Sequence, residues 1–229
     1  MTQKQKSSRM FTFITETCNF LGGECPYGCV YCWANALKKR YNFKKYMGKP
    51  FVIEKELKRN FKNGSFVFAC DMTDLLAENV PDACIEKILA YVKTQKCFFL
   101  LETKNPARYL DFLEQMPSNV YLGATIESNR NCPEISKAPS QHNRIKAMVI
   151  LSFMQKNPLF ISIEPILDFD LNVFVQIIKQ IKPWAVAVGY DNYNHKLPEP
   201  ALAKTMQLIE ALEKFTIVYR KTLRRAWWE

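Results

Sequence analysis

The chain has 229 residues, enough for one domain with its own core. Its 48% apolar and 24% charged residues fit a packed, soluble globule and exclude a membrane-embedded one. Thirty-two Lys and Arg against 22 Asp and Glu give a formal charge of +10, which favours an anionic partner such as a nucleic acid, or else marks a solvated lysine face.

The start, MTQKQKSSRMF, is basic but holds no long apolar stretch to make a signal peptide. No run approaches the roughly 18 apolar residues of a membrane span. The expected location is therefore the cytoplasm, with no membrane contact. Thiols stay reduced there, so eight cysteines point to metal or redox chemistry rather than to a disulfide framework.

Short apolar runs then alternate with helical patterns. The runs are Phe11 to Thr15, Ser65 to Cys70, Cys97 to Glu102, Val120 to Ile126, Leu159 to Ile163 and Trp184 to Val188. Rich in Phe, Val and Ile, they suit strands buried on both faces of a parallel sheet. Between them, Val80-Pro81-Asp82 opens a helix with the apolar series Ile85, Ile88, Leu89 and Val92. Asn105-Pro106 sets a capping side chain before a first-turn proline, and Asp170 to Ile181 and Pro200 to Lys214 read as further helices. Six such units in a single domain over 1–229 predict an α/β fold with a parallel sheet. That sheet is either open or curled into a partial TIM-like (βα)6 barrel, short of the eight units of a closed one.

In such sheets ligands bind outside the carboxyl ends of the strands. This sequence places Cys70-Asp71, Glu102-Thr103-Lys104, Thr125-Ile126-Glu127, Ser162-Ile163-Glu164 and Gly189-Tyr190 there. For any single residue, emergence into solvent is the alternative reason for its polarity.

After the first strand comes Cys18-Asn-Phe-Leu-Gly-Gly-Glu-Cys25-Pro-Tyr-Gly-Cys29-Val-Tyr-Cys32. Cys25, Cys29 and Cys32 form C-x3-C-x2-C, short enough for one loop to wrap a cluster with three thiolates, and glycines 22, 23 and 28 let the backbone turn sharply. Three ligands leave a fourth metal position open to a substrate or cofactor. Cys18, as a fourth thiolate, would instead close the site into a structural zinc or iron centre. Cys84 and Cys97 fall in apolar patterns and read as small hydrophobes. His142 and His195 read as surface or capping residues, too few for a zinc hydrolase or a serine–histidine triad, and no Walker-type phosphate loop occurs.

C-x3-C-x2-C with an aromatic before its last cysteine, directly after the first strand of an α/β unit, resembles the signature of radical S-adenosylmethionine (SAM) enzymes. Phe68-Ala-Cys-Asp-Met-Thr-Asp-Leu-Leu, Leu100-Leu-Glu-Thr-Lys-Asn-Pro, Asn119-Val-Tyr-Leu-Gly-Ala-Thr-Ile-Glu, Ile161-Ser-Ile-Glu-Pro-Ile-Leu and Val218-Tyr-Arg-Lys are similar to a phage- and prokaryote-associated radical SAM family of largely unassigned function, related to spore photoproduct lyase. The resemblance implies a radical SAM core holding a [4Fe-4S] cluster on Cys25, Cys29 and Cys32, with SAM chelated at its open iron. It also implies an external electron donor such as a flavodoxin or ferredoxin, and reductive cleavage of SAM to a 5′-deoxyadenosyl radical that abstracts a substrate hydrogen. By matching segments, Tyr31 would sit near the adenine and Ala69, Cys70 and Asp71 near the methionine amino group. Thr103, Lys104, Glu127, Ser162 and Glu164 would line the ribose, carboxylate and substrate regions. Cys70, Cys132 and Tyr190 are candidate hydrogen donors to a product radical, with structural roles as the alternative.

The chain closes on Tyr219-Arg-Lys-Thr-Leu-Arg-Arg-Ala-Trp-Trp-Glu. Arg220, Lys221, Arg224 and Arg225 interleaved with Trp227 and Trp228 are candidates for nucleic-acid contact. The alternative is a final strand followed by a helix whose tryptophans dock on the body. A nucleic acid or nucleoside-like molecule is the expected substrate. The alternatives are another small molecule or peptide handled by the same chemistry, or a non-enzymatic nucleic-acid-binding protein with a four-cysteine metal site.

Overall fold

The structure is a computed structural model that describes residues 10–229; the stretch examined for a signal peptide lies mostly outside the described residues. Seven parallel strands form the main sheet in the order β1 (Glu16–Cys18), β4 (Phe66–Ala69), β5 (Phe98–Thr103), β6 (Val120–Thr125), β7 (Leu159–Ile163), β8 (Ala185–Val188) and β9 (Ile217–Arg220). A short antiparallel ribbon pairs β2 (Leu21–Gly22) with β3 (Phe51–Val52). The crossovers carry α2 (Asp82–Thr94), a 3-10 helix (Pro106–Gln115), α3 (Gln141–Met154), α4 (Leu171–Ile181) and α5 (Leu202–Leu212), while α1 (Trp33–Tyr41) lies between β2 and β3. No helix among the described residues is long and apolar enough to cross a membrane.

The parallel α/β partial barrel expected from the strand pattern is present, with seven strands instead of six. Strands β7 and β8 are buried along their whole length, as a sheet covered on both faces requires. In α2 the expected series Ile85, Ile88, Leu89 and Val92 forms the buried stripe. Asn105 departs from expectation: its side chain does not cap the helix that follows, and its amide instead donates to the Leu76 carbonyl at 3.1 Å.

The first strand is also displaced, from Phe11–Thr15 to Glu16–Cys18. The physical reason is aromatic packing. Phe11 lies 4.9 Å from Phe160, and Phe13 lies 5.3 Å from Trp184 and 4.8 Å from Tyr219, ring centre to ring centre. Together with Phe66, Phe68 and Tyr121 these rings fill the concave face of the half-barrel. The Phe-rich run supplies a plug, not a strand.

Candidate functional site

Residues 23–50 leave the sheet at β2 and return at β3, carrying the cysteine loop and α1 with them. The return is close. A Cβ at Gly22 would stand 2.7 Å from the Lys45 carbonyl oxygen, and one at Gly23, whose φ is +90°, would stand 2.5 Å from Pro50 Cα, so both positions need glycine. The loop is moored to the segment after β6: Val30 N–H donates to the Ile135 carbonyl at 3.0 Å, Lys137 N–H to that of Tyr27 at 2.8 Å, and Cys29 Sγ lies 3.1 Å from Ser136 Oγ.

Cys25, Cys29 and Cys32 line one wall of a cavity of ≈ 550 Å³. The opposite wall is made of strand ends and the loops beyond them, including Cys70, Asp71, Asp74, Glu102, Thr103, Lys104, Thr125, Ser162 and Glu164. The donor set fits a cluster with three thiolate ligands and one open metal position. Cys18 stands apart: it is 1% exposed, and its thiol donates to Glu56 at 3.4 Å beside Arg59. Among the described residues no three His, Cys, Asp or Glu side chains converge on a single-ion position, and Cys18 adds nothing to the three-thiol wall.

Acidic groups dominate the far wall. Burial pushes the Glu164 carboxyl up to about 7; neighbouring Glu102 adds to the rise, while Lys221 and Asn192 oppose it. Burial likewise raises Glu102, whose carboxylate accepts from Thr125 Oγ1 at 2.9 Å. Asp74, which the sequence reading did not single out, ties two strand ends together by accepting from Thr103 Oγ1 and Lys104 N–H, each at 2.7 Å. Cys70 adopts the left-handed region at φ +63°, where the chain turns out of β4, and burial pushes its thiol to about 12.

Several expected site residues stand elsewhere. Glu127 does not line the cavity. It is 0% exposed, accepting from Lys104 Nζ at 2.7 Å, from Arg144 at 2.8 Å and from the Tyr31 hydroxyl. Burial works against its charge, but Lys104 and Arg144 outweigh burial and hold the carboxyl at about 2. Glu127 therefore holds two cavity-lining residues, Tyr31 and Lys104, from behind. Ala69 is buried behind Cys70, its side chain turned into the core.

Of the candidate hydrogen donors, Cys70 lines the cavity, whereas Cys132 packs outside it against Ile135, Leu167 and Leu197. The Tyr190 ring lines the cavity, but its hydroxyl points away to Thr205 Oγ1 at 2.6 Å and the Pro200 carbonyl at 3.0 Å.

The C-terminal segment begins as β9, and no helix follows it. Arg220 pairs with Glu213 and Arg224 with Glu199, while the Trp227 and Trp228 indoles donate to the Leu197 and Glu199 carbonyls at 2.6 and 2.9 Å. The tail is docked on the body, Arg225 stays exposed, and Lys221 faces Glu164 and Glu102.

In fold, the curled seven-stranded sheet with its outer helices matches the partial barrel seen in radical SAM enzymes. A spore photoproduct lyase variant with bound AdoMet and dinucleoside spore photoproduct superposes with a TM-score of 0.60 at 10% identity, over 92% of this chain and 65% of that one. Streptococcus suis SuiB bound to its precursor peptide SuiA gives 0.58 at 10% identity over 91% and 49%. Methylornithine synthase gives 0.54 at 13% over 90% and 64%. At these identities the likeness is one of fold, and the chain spans less than two thirds of each of these three structures. In sequence the chain belongs to the family described as "Protein of unknown function (DUF5131)", whose model matches residues 12–207. No curated protein matches it.

Proposed function

We propose that this chain is a radical SAM enzyme that acts on a nucleic acid or nucleoside-like molecule. One observation carries the reading: three thiols on one short loop share a single cavity with the polar carboxyl ends of the strands. A [4Fe-4S] cluster on Cys25, Cys29 and Cys32 would supply the electron for reductive cleavage of SAM, drawn from a donor such as a flavodoxin or ferredoxin.

The residues around the thiols suit that cofactor. Carboxylates at Asp71, Glu102 and Glu164 complement an ammonium and a sulfonium, and the Lys104 ammonium complements a carboxylate. Lys104 Nζ also donates to the Tyr31 hydroxyl at 2.6 Å, fixing the aromatic residue that precedes Cys32. Cys70, held as a protonated thiol by burial, has the S–H bond that hydrogen-atom donation to a substrate radical requires. The +10 charge supports an anionic substrate, and the dinucleoside held by the spore photoproduct lyase structure of the same fold supports a nucleoside-like one.

Anaerobic reconstitution with iron and sulfide is the test. A brown protein that releases 5′-deoxyadenosine from SAM under a strong reductant is expected; a colourless zinc protein inert toward SAM would sink the reading. Deuterium transfer from labelled oligonucleotides into 5′-deoxyadenosine then separates a nucleic-acid substrate from a peptide or another small molecule.

A further inference from the structure

Between Glu24 and Glu54 the sequence contains no acidic residue, yet it carries Lys38, Lys39, Arg40, Lys44, Lys45 and Lys49. Removing these six from the 32 basic residues leaves 26 against 22 acidic ones, so more than half of the net charge sits on this one excursion. Five of the six are exposed, and none of the six makes an ion pair among the described residues, whereas Arg220 and Arg224 of the C-terminal tail are each paired. We propose that the arm formed by α1 and the turn after it, residues 33–49, is the docking surface for a single-stranded nucleic acid. This inference deepens the reading of the cavity as a nucleic-acid-modifying site and rests on it.

Two features favour a nucleic acid over another polyanion. The first is aromatic interleaving. Tyr41 is 55% exposed and stacks with Phe43 at 5.5 Å, with the Arg40 guanidinium 5.4 Å from its ring centre. Trp33 is 39% exposed and also lines the cavity, so an unpaired base could stack at the cavity mouth itself.

The second feature is the reversal of charge between rim and interior. The arm is basic, while the cavity that α1 walls with Trp33, Ala34 and Leu37 is lined by Asp71, Asp74, Glu102 and Glu164. A phosphate backbone is attracted to the arm and repelled from the interior. Beside the cationic cofactor, an uncharged base and its sugar suit the cavity better than a phosphate does, an arrangement that fits an enzyme that takes a base out of its stack. An acidic peptide would find no such match, because its charges lie on the side chains that would have to enter.

The experiment uses the full chain and fluorescence anisotropy with labelled single-stranded oligonucleotides across a salt series. The variant Lys39→Ala, Arg40→Ala, Lys44→Ala and Lys45→Ala should bind roughly tenfold or more weakly, with a log K versus log salt slope shallower by about 3, since each single-strand phosphate contact contributes about 0.7. Tyr41→Ala should weaken binding with the slope unchanged, while Arg225→Ala in the tail should leave both unchanged. Unchanged affinity and slope in the arm variant would overturn the proposal. So would equal or tighter binding of polyglutamate or of phosphatidylglycerol vesicles by the wild type. SAM cleavage by the wild type, measured in parallel, is an independent readout: cleavage without oligonucleotide binding overturns the arm and leaves the enzyme reading standing. Oligonucleotide binding through the arm without cleavage overturns the enzyme reading alone.

Discussion

Arg144 and Glu127 meet at 2.8 Å with side-chain exposures of 1% and 0%, placing a full ion pair out of reach of water. Arg144 also donates to the carbonyls of Thr125 at 3.1 Å and Pro139 at 2.6 Å, so the pair fastens the end of β6 to α3. Removing one partner strands the other as a buried, uncompensated charge. Glu127→Ala is expected to cost about 3–5 kcal/mol of unfolding free energy in a urea titration, and a loss under 1 kcal/mol would refute this account of the network.

Glu127 also predicts an acid limit. Its carboxyl sits at about 2 in the folded protein against an ordinary 4.5, so the unfolded chain binds the proton more readily. The stabilisation is whole above 4.5 and drains away as pH falls toward 2. The stability gap between wild type and Glu127→Gln should therefore narrow across that window.

Glu164 predicts the opposite slope. Its folded value of about 7 lies above 4.5, so the folded state holds the proton more tightly and stability declines as pH rises from 4.5 through 7. Glu164→Gln should gain on the wild type between pH 5 and pH 8, by up to about 3 kcal/mol. Equal pH dependence of the two melting curves would contradict the assignment.

The cysteines separate two architectures. Alanine at Cys25, Cys29 or Cys32 is expected to abolish iron and acid-labile sulfide incorporation. Cys18→Ala should retain both, because Cys18 faces Glu56 and not the cavity. Equal loss at all four positions would restore the closed four-cysteine site.

Trp227 and Trp228 act through the fold. Each indole is bonded to a body carbonyl, so Trp228→Ala should lower stability by about 1–3 kcal/mol while oligonucleotide affinity stays at the wild-type value. A selective loss of affinity at full stability would return the tail to the binding surface.

Much of this architecture is legible in the residues. Helix α2 announces itself through Ile85, Ile88, Leu89 and Val92, because a helix packed on a sheet must repeat its apolar face. The strands were readable because burial on both faces leaves uninterrupted Phe, Val and Ile. The same signal misplaced β1, since Phe11 and Phe13 are as apolar as any strand and only their ring partners across the half-barrel reveal a plug. Helix α1 gave little periodicity to read, because it buries only Ala34.

In the site, Cys25, Cys29 and Cys32 line one cavity because they sit on one short loop. Strand-end position could not say which way Glu127 turns: a carboxylate beyond β6 suits a ligand wall and a hidden anchor equally, and Arg144, on the unread helix α3, decides it. Asp74 was equally hidden, its role visible only once β4 and β5 lie side by side.

The ring cluster of Phe11, Phe13, Phe160, Trp184 and Tyr219 fills the concave face of the half-barrel. Phe11 and Phe68 carry that aromatic bed into the cavity that the thiols line. A molecule held there rests on uncharged rings on one side while it faces carboxylates on another, so its flat, apolar surface is the one that suits the bed.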